Sequence, residues 1–332
     1  MGKNSLKKIL FVTLVIIWGI VIFQSIALAQ TTFPTRPVTI WVTYAAGGIT
    51  DTVLRTIADA SEKSLGQKMV IINKTGGGGV VAVSLLTHEK PDGYTLVGCV
   101  DAPITRVPHI RDLDYDPFLN LTHIIRVCLF KSVFVVKSDS PFKQWGDVVD
   151  WAKKNPGQLL YGETGPGTVP YLAMAKVARK EGFTYKGVTF PGDGPMLNAL
   201  LGGHVMITNL SSVACKGQVA AKTVRALLVH EREGLSYAPE APTFEKMHYD
   251  FELPNTIIIS APEGLPDPVR ERLEKAFIEG INSRKFMKVA EDNELIMREP
   301  LTGKALNDYL RKTYLSYETF IKEAGIYKID KK

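Results

Sequence analysis

Trp41-Val42-Thr43-Tyr44-Ala45-Ala46-Gly47-Gly48-Ile49-Thr50-Asp51 is the stretch whose reading decides the fold. An apolar, β-branched run gives way to two glycines and then to the first turn of a helix. Gly47 and Gly48 carry no Cβ, so the chain there can take positive φ and come close to another group. The helix that follows opens with unpaired N–H groups and a partial positive charge. Such a terminus suits a carboxylate as well as a phosphate. The glycine spacing is not that of a dinucleotide fingerprint, and no Gly-Lys-Ser/Thr phosphate loop occurs. A plain connection between strand and helix uses the same residues, so the stretch alone leaves both roles open.

Outward from this point the pattern repeats. Val53, Leu54, Ile57, Ala58 and Leu65 form one apolar stripe of a helix over 50–65, and Gly66 ends it as a C-cap glycine. Met69–Asn73 is a short apolar strand of the kind covered on both faces. Gly76-Gly77-Gly78-Gly79 opens a second helix and can be read as an anion cradle or as a sharp turn; no polar side chain accompanies the run, which favours the turn. After the turn at Pro91-Asp92-Gly93 comes a strand over 94–99. Strand, helix, strand, helix, strand predicts a parallel sheet with right-handed crossovers. The alternation resumes with a strand at 133–137, a helix at Trp145–Lys154 and a strand at 159–162. Then comes Glu163-Thr164-Gly165-Pro166-Gly167-Thr168, a second glycine corner opening a helix from Val169. Its threonine hydroxyls can cap the helix or donate to an oxygen. A strand at 188–190 runs into Pro191-Gly192-Asp193-Gly194-Pro195, just past a strand, where open α/β sheets hold their ligands. Strands at 205–209, 224–230 and 257–261 follow. Helices from Asp267, at 284–293 and at 304–324 complete the chain, with Asp267 as N-cap and Pro268 in the first position.

The chain has 332 residues, enough for two domains. Its 45% apolar and 22% charged content is that of a globular protein. The formal charge is +6, and without residues 1–29 it falls to 37 basic against 34 acidic residues. So small a bias, with no dense Lys/Arg stripe, argues against a nucleic-acid partner. Lys3, Lys7 and Lys8 precede an apolar run over 9–23, and Ala27-Leu28-Ala29 gives a small-x-small site. This predicts a secretory signal peptide cleaved after Ala29. The run falls short of the roughly 20 apolar residues of a spanning helix. Cys99, Cys128 and Cys215 allow at most one internal disulfide, and their apolar surroundings favour buried thiols. The six histidines show no metal-site spacing, and no Gly-x-Ser-x-Gly elbow is present.

Specific pieces then recur in a recognisable order. They are Phe33-Pro34-x-Arg36-Pro37, Ala46-Gly47-Gly48-x-x-Asp51, Leu65-Gly66-Gln67 and Pro91-Asp92-Gly93-Tyr94-Thr95-Leu96. Tyr115-Asp116-Pro117, Asn155-Pro156-Gly157, Thr164-Gly165-x-Gly167 and Leu200-Leu201-Gly202-Gly203 follow. Arg225-Ala226-Leu227, Ala241-Pro242-Thr243 and Ala261-Pro262-x-Gly264 close the series. Over residues 33–327 the chain resembles the substrate-binding receptors of tripartite tricarboxylate transporters, the Bug-type periplasmic proteins. The resemblance implies an α/β fold of the two-lobed, type II periplasmic binding protein kind, a Venus flytrap closing on its ligand. Lobe 1 would hold 33–131 and 254–332, and lobe 2 would hold 132–253. It implies a small organic acid as ligand, integral membrane transporter subunits as partners, a periplasmic location and a monomer. Neither catalysis, cofactor nor metal is expected. Two other readings are a binding protein that feeds a sensor kinase and a secreted α/β enzyme; the latter lacks a nucleophile–histidine pair.

The resemblance carries ligand contact over to Tyr44, Ala46, Gly47, Gly48 and Asp51 of the first corner, and to Thr164, Gly165, Gly167 and Thr168 of the second. Phe190 and Asp193 would line the far side of the cleft. Three positions depart from the family pattern. Thr43-Tyr44-Ala45 replaces Pro-Phe-Pro, Tyr171 stands where a histidine is frequent, and Met206 stands where an aspartate is frequent. Neither corner contains Lys or Arg, so an acid would be held by N–H groups, hydroxyls and helix dipoles. Asp51 has two roles open to it: charge in a helix's first turn, or acceptor from a ligand ammonium, hydroxyl or bridging water.

Overall fold

Val38–Val42 forms β1, and the β-branched run is central to a sheet because both its faces are covered. In this computed structural model residues 33–328 are described. The predicted signal peptide therefore lies outside the described residues. The element order from β1 continues with α1 (Ile49–Leu65), β2 (Met69–Asn73), α2 (Val80–Leu86) and β3 (Thr95–Val100). β1 pairs in parallel with β2, Val38 opposite Met69, and in parallel with β3, Thr39 opposite Thr95. The stripe of α1 buries Val53, Leu54 and Ile57 completely. Gly66 ends α1 at φ +85°, its N–H on Glu62 O. Gly98 is what allows α1 to lie so close to the sheet, since a Cβ there would come within 2.3 Å of Leu54 Cδ1.

After β3 come the single turn α3 (Ala102–Thr105), a 3-10 turn at Val107–His109, and β4 (Leu121–Phe130). The chain then crosses at Lys131 into β5 (Ser132–Lys137) of a second sheet. That sheet is built with α4 (Trp145–Lys154), β6 (Leu159–Glu163), α5 (Val169–Glu181), β7 (Tyr185–Thr189), α6 (Asp193–Leu201), β8 (Ile207–Ser211), α7 (Ser212–Ala220) and β9 (Val224–Val229). The return crossing leads into β10 (Asn255–Pro262), followed by α8 (Asp267–Ile281), α9 (Arg284–Asp292), β11 (Leu301–Thr302) and α10 (Gly303–Ala324).

The first sheet has the order β11-β4-β10-β3-β1-β2 and the second β7-β6-β8-β5-β9. Each has a parallel trio, β2-β1-β3 and β7-β6-β8. Beside each trio lies one antiparallel strand, β10 against β3 and β5 against β8. These strands adjoin the crossings, so each sheet receives the chain from its partner in reverse direction. The result is the two-lobed α/β fold expected from the sequence. Tyr317 and Ile321 of α10 belong to the apolar cluster of the second sheet, where they meet Leu172 and Val177 on α5.

The differences from the sequence reading are local. β7 lies at Tyr185–Thr189 and β8 at Ile207–Ser211, each displaced by two to three residues from the apolar runs. At α8, Pro266 is the N-cap and Asp267 sits in the first turn. β4 and α7 have no counterpart in the sequence reading. In β4 the period is broken by His123, whose Nδ1 meets Ser260 Oγ at 2.9 Å, and by Arg126, which lies over the Tyr309 ring. Cys99, Cys128 and Cys215 are buried and free.

Candidate functional site

Five strand-to-helix corners converge at the C-terminal edges of the two parallel trios. They are β1–α1 and β3–α3 from the first sheet, and β6–α5, β7–α6 and β8–α7 from the second. Between them lies a cavity of about 40 Å³, with Tyr44, Gly48, Thr164, Thr168 and Asp193 in its wall. The halves meet through backbone as much as through side chains. Ala45 N donates to Pro191 O at 3.0 Å. Tyr44 Oη donates to Gly78 O at 3.3 Å, and burial pushes the Tyr44 phenol well above its usual range. Gly167, at φ +80°, faces Val107 so closely that a Cβ would stand 2.7 Å from Val107 Cγ2 and 3.2 Å from its backbone N.

The two principal helix termini are occupied differently. The N-cap of α1 is Gly48, which offers no side chain. Its cap comes from the other sheet instead: the Asp193 carboxylate accepts from Ile49 N. Asp193 is held for this by Ser211, whose Oγ donates to Oδ2 at 2.6 Å and whose N donates to Oδ1 at 3.4 Å. Burial raises the Asp193 pKa, and those hydrogen bonds oppose the rise. The N-cap of α5 is Thr168, and its hydroxyl turns back to Gly165 O at 2.7 Å. No side chain caps α5, and no acidic residue lies in its first turn.

At the base of the cavity sits a fully buried ion pair, Arg106 Nη2 to Asp101 Oδ1 at 2.7 Å. Arg106 Nη1 donates to Tyr317 Oη at 3.1 Å and to Pro254 O at 3.2 Å, beside the return crossing. Burial disfavours the charge on Arg106, and Asp101 outweighs it, leaving the guanidinium above its ordinary range. Its Nε is buried without a partner. Asn255 Nδ2 donates to Ser132 Oγ at 2.8 Å, joining the two crossings under the same cavity. Asn209, also fully buried, gives Nδ2 to His230 Nε2, and its Oδ1 has no partner. Burial pushes His230 down to about 3, so the neutral ring accepts that bond.

The remaining residues named from the sequence stand around the cavity. Ala46 and Gly47 are exposed at the rim. The Asp51 carboxylate is spent on the corner itself. It accepts from Arg55 Nε at 2.9 Å, Asn73 Nδ2 at 2.9 Å and Gly47 N at 3.1 Å. These bonds hold its pKa down against the burial that would raise it. Gly165 and Gly167 are buried behind the wall, where they pack on Gly78 and Val107. Phe190 packs on the apolar cluster of the second sheet with Met196 and Leu200. Five polar side chains of the wall were not foreseen: Arg106, Ser132, Asn209, Ser211 and Asn255. A signal for the first existed in Asp101, a buried acid ending the apolar run of β3 where an open sheet holds ligands. Among the described residues no group of His, Cys, Asp and Glu is placed to hold a metal ion, and no helix is long and apolar enough to cross a membrane.

Comparison with known proteins agrees with this architecture. Residues 53–325 match the family model described as tripartite tricarboxylate transporter family receptor. The UPF0065 protein in the gbd 5′ region of Cupriavidus necator is 33% identical over 245 residues, 74% of either chain. The periplasmic binding protein BugD superposes with a TM-score of 0.85 at 25% identity, covering 89% of this chain and all of BugD. MatC from Rhodopseudomonas palustris, solved with bound malate, superposes with a TM-score of 0.82 at 25% identity, covering 87% of this chain and all of MatC.

Proposed function

The chain belongs to the tripartite tricarboxylate transporter receptors, and on that premise we propose that it captures a small carboxylated compound in the periplasm and delivers it to membrane transporter subunits. The lobes doing so are 33–131 with 254–332, and 132–253. The observation that carries this reading is the α5 N-terminus. It opens on the cavity between the two sheets, with no side-chain cap and two threonines beside it. Free N–H groups at a helix start favour an anion by about 0.3–2 kcal/mol, more as water is excluded. Carboxylate fits better than phosphate because the wall offers no uncompensated positive charge to a dianion. The one cation in its wall, Arg106, is already neutralised by Asp101. The matched family and the superposed BugD are solute-binding proteins, so binding without turnover is the reading that fits.

The direct test is thermal unfolding of the chain from Gln30 onward against a panel of hydroxy, amino and dicarboxylic acids, followed by calorimetry on each hit. At a ligand concentration of about 100 Kd the stabilisation expected is about 2.7 kcal/mol. A panel that leaves the melting curve unmoved throughout rejects the carboxylate reading.

A further inference from the structure

We propose that Asp193 sets the specificity of this cleft. Its carboxylate stands where a second ligand carboxylate would stand, so the protein takes a small monocarboxylate whose other end donates hydrogen bonds. This rests on the carboxylate reading above and goes beyond it by choosing among acids.

Four helix starts of eight or more residues line the cavity, those of α1, α5, α6 and α7, and that of α7 is capped by its own Ser211, whose Oγ accepts from Ala214 N at 3.3 Å. Two carry an acid in the first turn, Asp51 in α1 and Asp193 in α6, while α5 carries none. The α1 terminus is moreover filled, because Asp193 caps it at Ile49 N. That carboxylate lies against Gly48, where an added Cβ would be in ordinary contact, 3.5 Å from Asp193 Oδ2. The α5 terminus is left for the ligand's own carboxylate. Arg106 supports that placement. It is fully buried, lines the cavity with an unpartnered Nε–H, and is followed by Val107, which packs on Gly167 of the α5 corner.

The other polar groups of the wall call for the opposite chemistry. Asp193 is bonded to Ser211 and Ile49, with no cationic side chain among the described residues paired to it. Asn209 is fully buried with Oδ1 unpartnered, because its amide nitrogen is committed to the neutral His230. Two acceptors with capacity left are satisfied by a hydroxyl or ammonium and repel a carboxylate. Two like charges about 4 Å apart at an effective dielectric of about 20 disfavour binding by a factor of about 10³, and partial solvation lowers this to about 10².

Calorimetry on the chain from Gln30 onward decides it, with lactate and alanine as donor-bearing monocarboxylates, propionate as the acid without a donor, and malate and succinate as dicarboxylates. The wild type is expected to bind lactate or alanine at least about 100-fold tighter than either dicarboxylate, with propionate weaker than the better of the first two. Asp193→Ser is expected to gain at least about 10-fold for malate, and Asp193→Asn, which keeps the shape and drops the charge, a smaller gain. Malate or succinate binding to the wild type as tightly as lactate and alanine overturns the proposal and leaves the carboxylate reading standing. Discrimination that persists unchanged in both variants overturns the assignment to Asp193. Silence of every protein towards every acid overturns the carboxylate reading itself. The ratio in the wild type decides the first of these even if a variant fails to fold.

Discussion

The corners at β1–α1 and β6–α5 have the same design, a strand ending in glycines and a helix opening on the cavity, yet they are finished in opposite ways. The first is braced by charge. Asp51 ties Gly47, Arg55 and Asn73 together, and Asp193 arrives from the other sheet to cap the helix. The second is braced by shape. Gly165 and Gly167 seat backbone against Gly78 and Val107, and no acid lies in the first turn of the helix. A helix terminus attracts an anion only while no anion of the protein's own is there. The difference supports the proposal that ligand charge goes to the second corner, although the two are nearly indistinguishable as sequence.

The strongest way to break this comparison is to remove the charge that lies between the corners. Arg106→Ala leaves Asp101 fully buried without its partner. The predicted loss of stability is about 3–5 kcal/mol by urea unfolding, because an uncompensated buried charge remains. The double variant Asp101→Asn/Arg106→Met is predicted to recover most of it, since replacing both members of a buried pair is often neutral. If the single variant costs less than about 1 kcal/mol, the pair is not an ion pair of the kind drawn here.

Next in size is a test beneath the second corner alone. Burial raises Glu163, at the end of β6, to about 7, with a hydrogen bond from Thr189 opposing the rise. One of its oxygens is buried without a partner. A carboxyl whose folded pKa lies above its unfolded value binds more protons folded than unfolded. Its stabilising effect is complete below the ordinary value of 4.5. It is lost as pH climbs to about 7 and does not change above that. Glu163→Gln is predicted to flatten this part of the pH–stability curve, by at most about 3 kcal/mol between its ends. Glu231, raised to about 8 by burial, slopes the same way and remains in both proteins. The difference between the curves is therefore the readout, and parallel curves would remove Glu163 from the account.

Much of this architecture was legible and the reasons are physical. α1, β2 and α4 are long or strongly patterned segments with a glycine, asparagine or proline at their ends, so their bounds follow from the residues. The shared crevice was legible too, because open sheets expose their C-terminal edges, and Tyr44, Gly48, Thr164, Thr168 and Asp193 all reached its wall. Arg106 was hidden because it lies in single-turn structure between β3 and β4, where no periodicity builds up. Ser211 was hidden by register: β8 starts two residues later than its apolar run suggests, which carries Ser211 past residue 209, the end of that run. The role of Asp193 could not be read at all. A residue of α6 caps α1, and nothing local to either segment records which helix start a distant carboxylate will meet.

Glycine substitution sharpens the contrast between shape and charge. Gly167→Ala and Gly47→Ala both force an L residue to positive φ, at +80° and +84°. That alone costs about 1–2 kcal/mol. At Gly47 nothing lies within 4 Å of the added Cβ, whereas at Gly167 it overlaps Val107. Gly167→Ala is predicted to cost about 1 kcal/mol more than Gly47→Ala in urea unfolding, and to weaken ligand binding where Gly47→Ala leaves it nearly unchanged. Equal losses at the two glycines would mean that the second corner is not seated on Val107.

The smallest effect is predicted for the charge brace of the first corner. Arg55 is half exposed at 48%, while its partner Asp51 is buried at 7%. Removing the arginine does not strand the carboxylate, because Gly47 N and Asn73 Nδ2 still donate to it. A surface-facing pair of this kind contributes about 0.2–1 kcal/mol, and salt screens it. Arg55→Ala is therefore predicted to lower stability by less than about 1 kcal/mol, with the gap to wild type shrinking as ionic strength rises towards about 1 M. Asp51→Ala removes all three bonds at once and is predicted to cost more than Arg55→Ala, because Gly47 N and Asn73 lose their acceptor. The order of the two losses carries the argument: if Arg55→Ala equals or exceeds Asp51→Ala, the corner is held by the salt bridge itself and not by the carboxylate's bonds to Gly47 and Asn73.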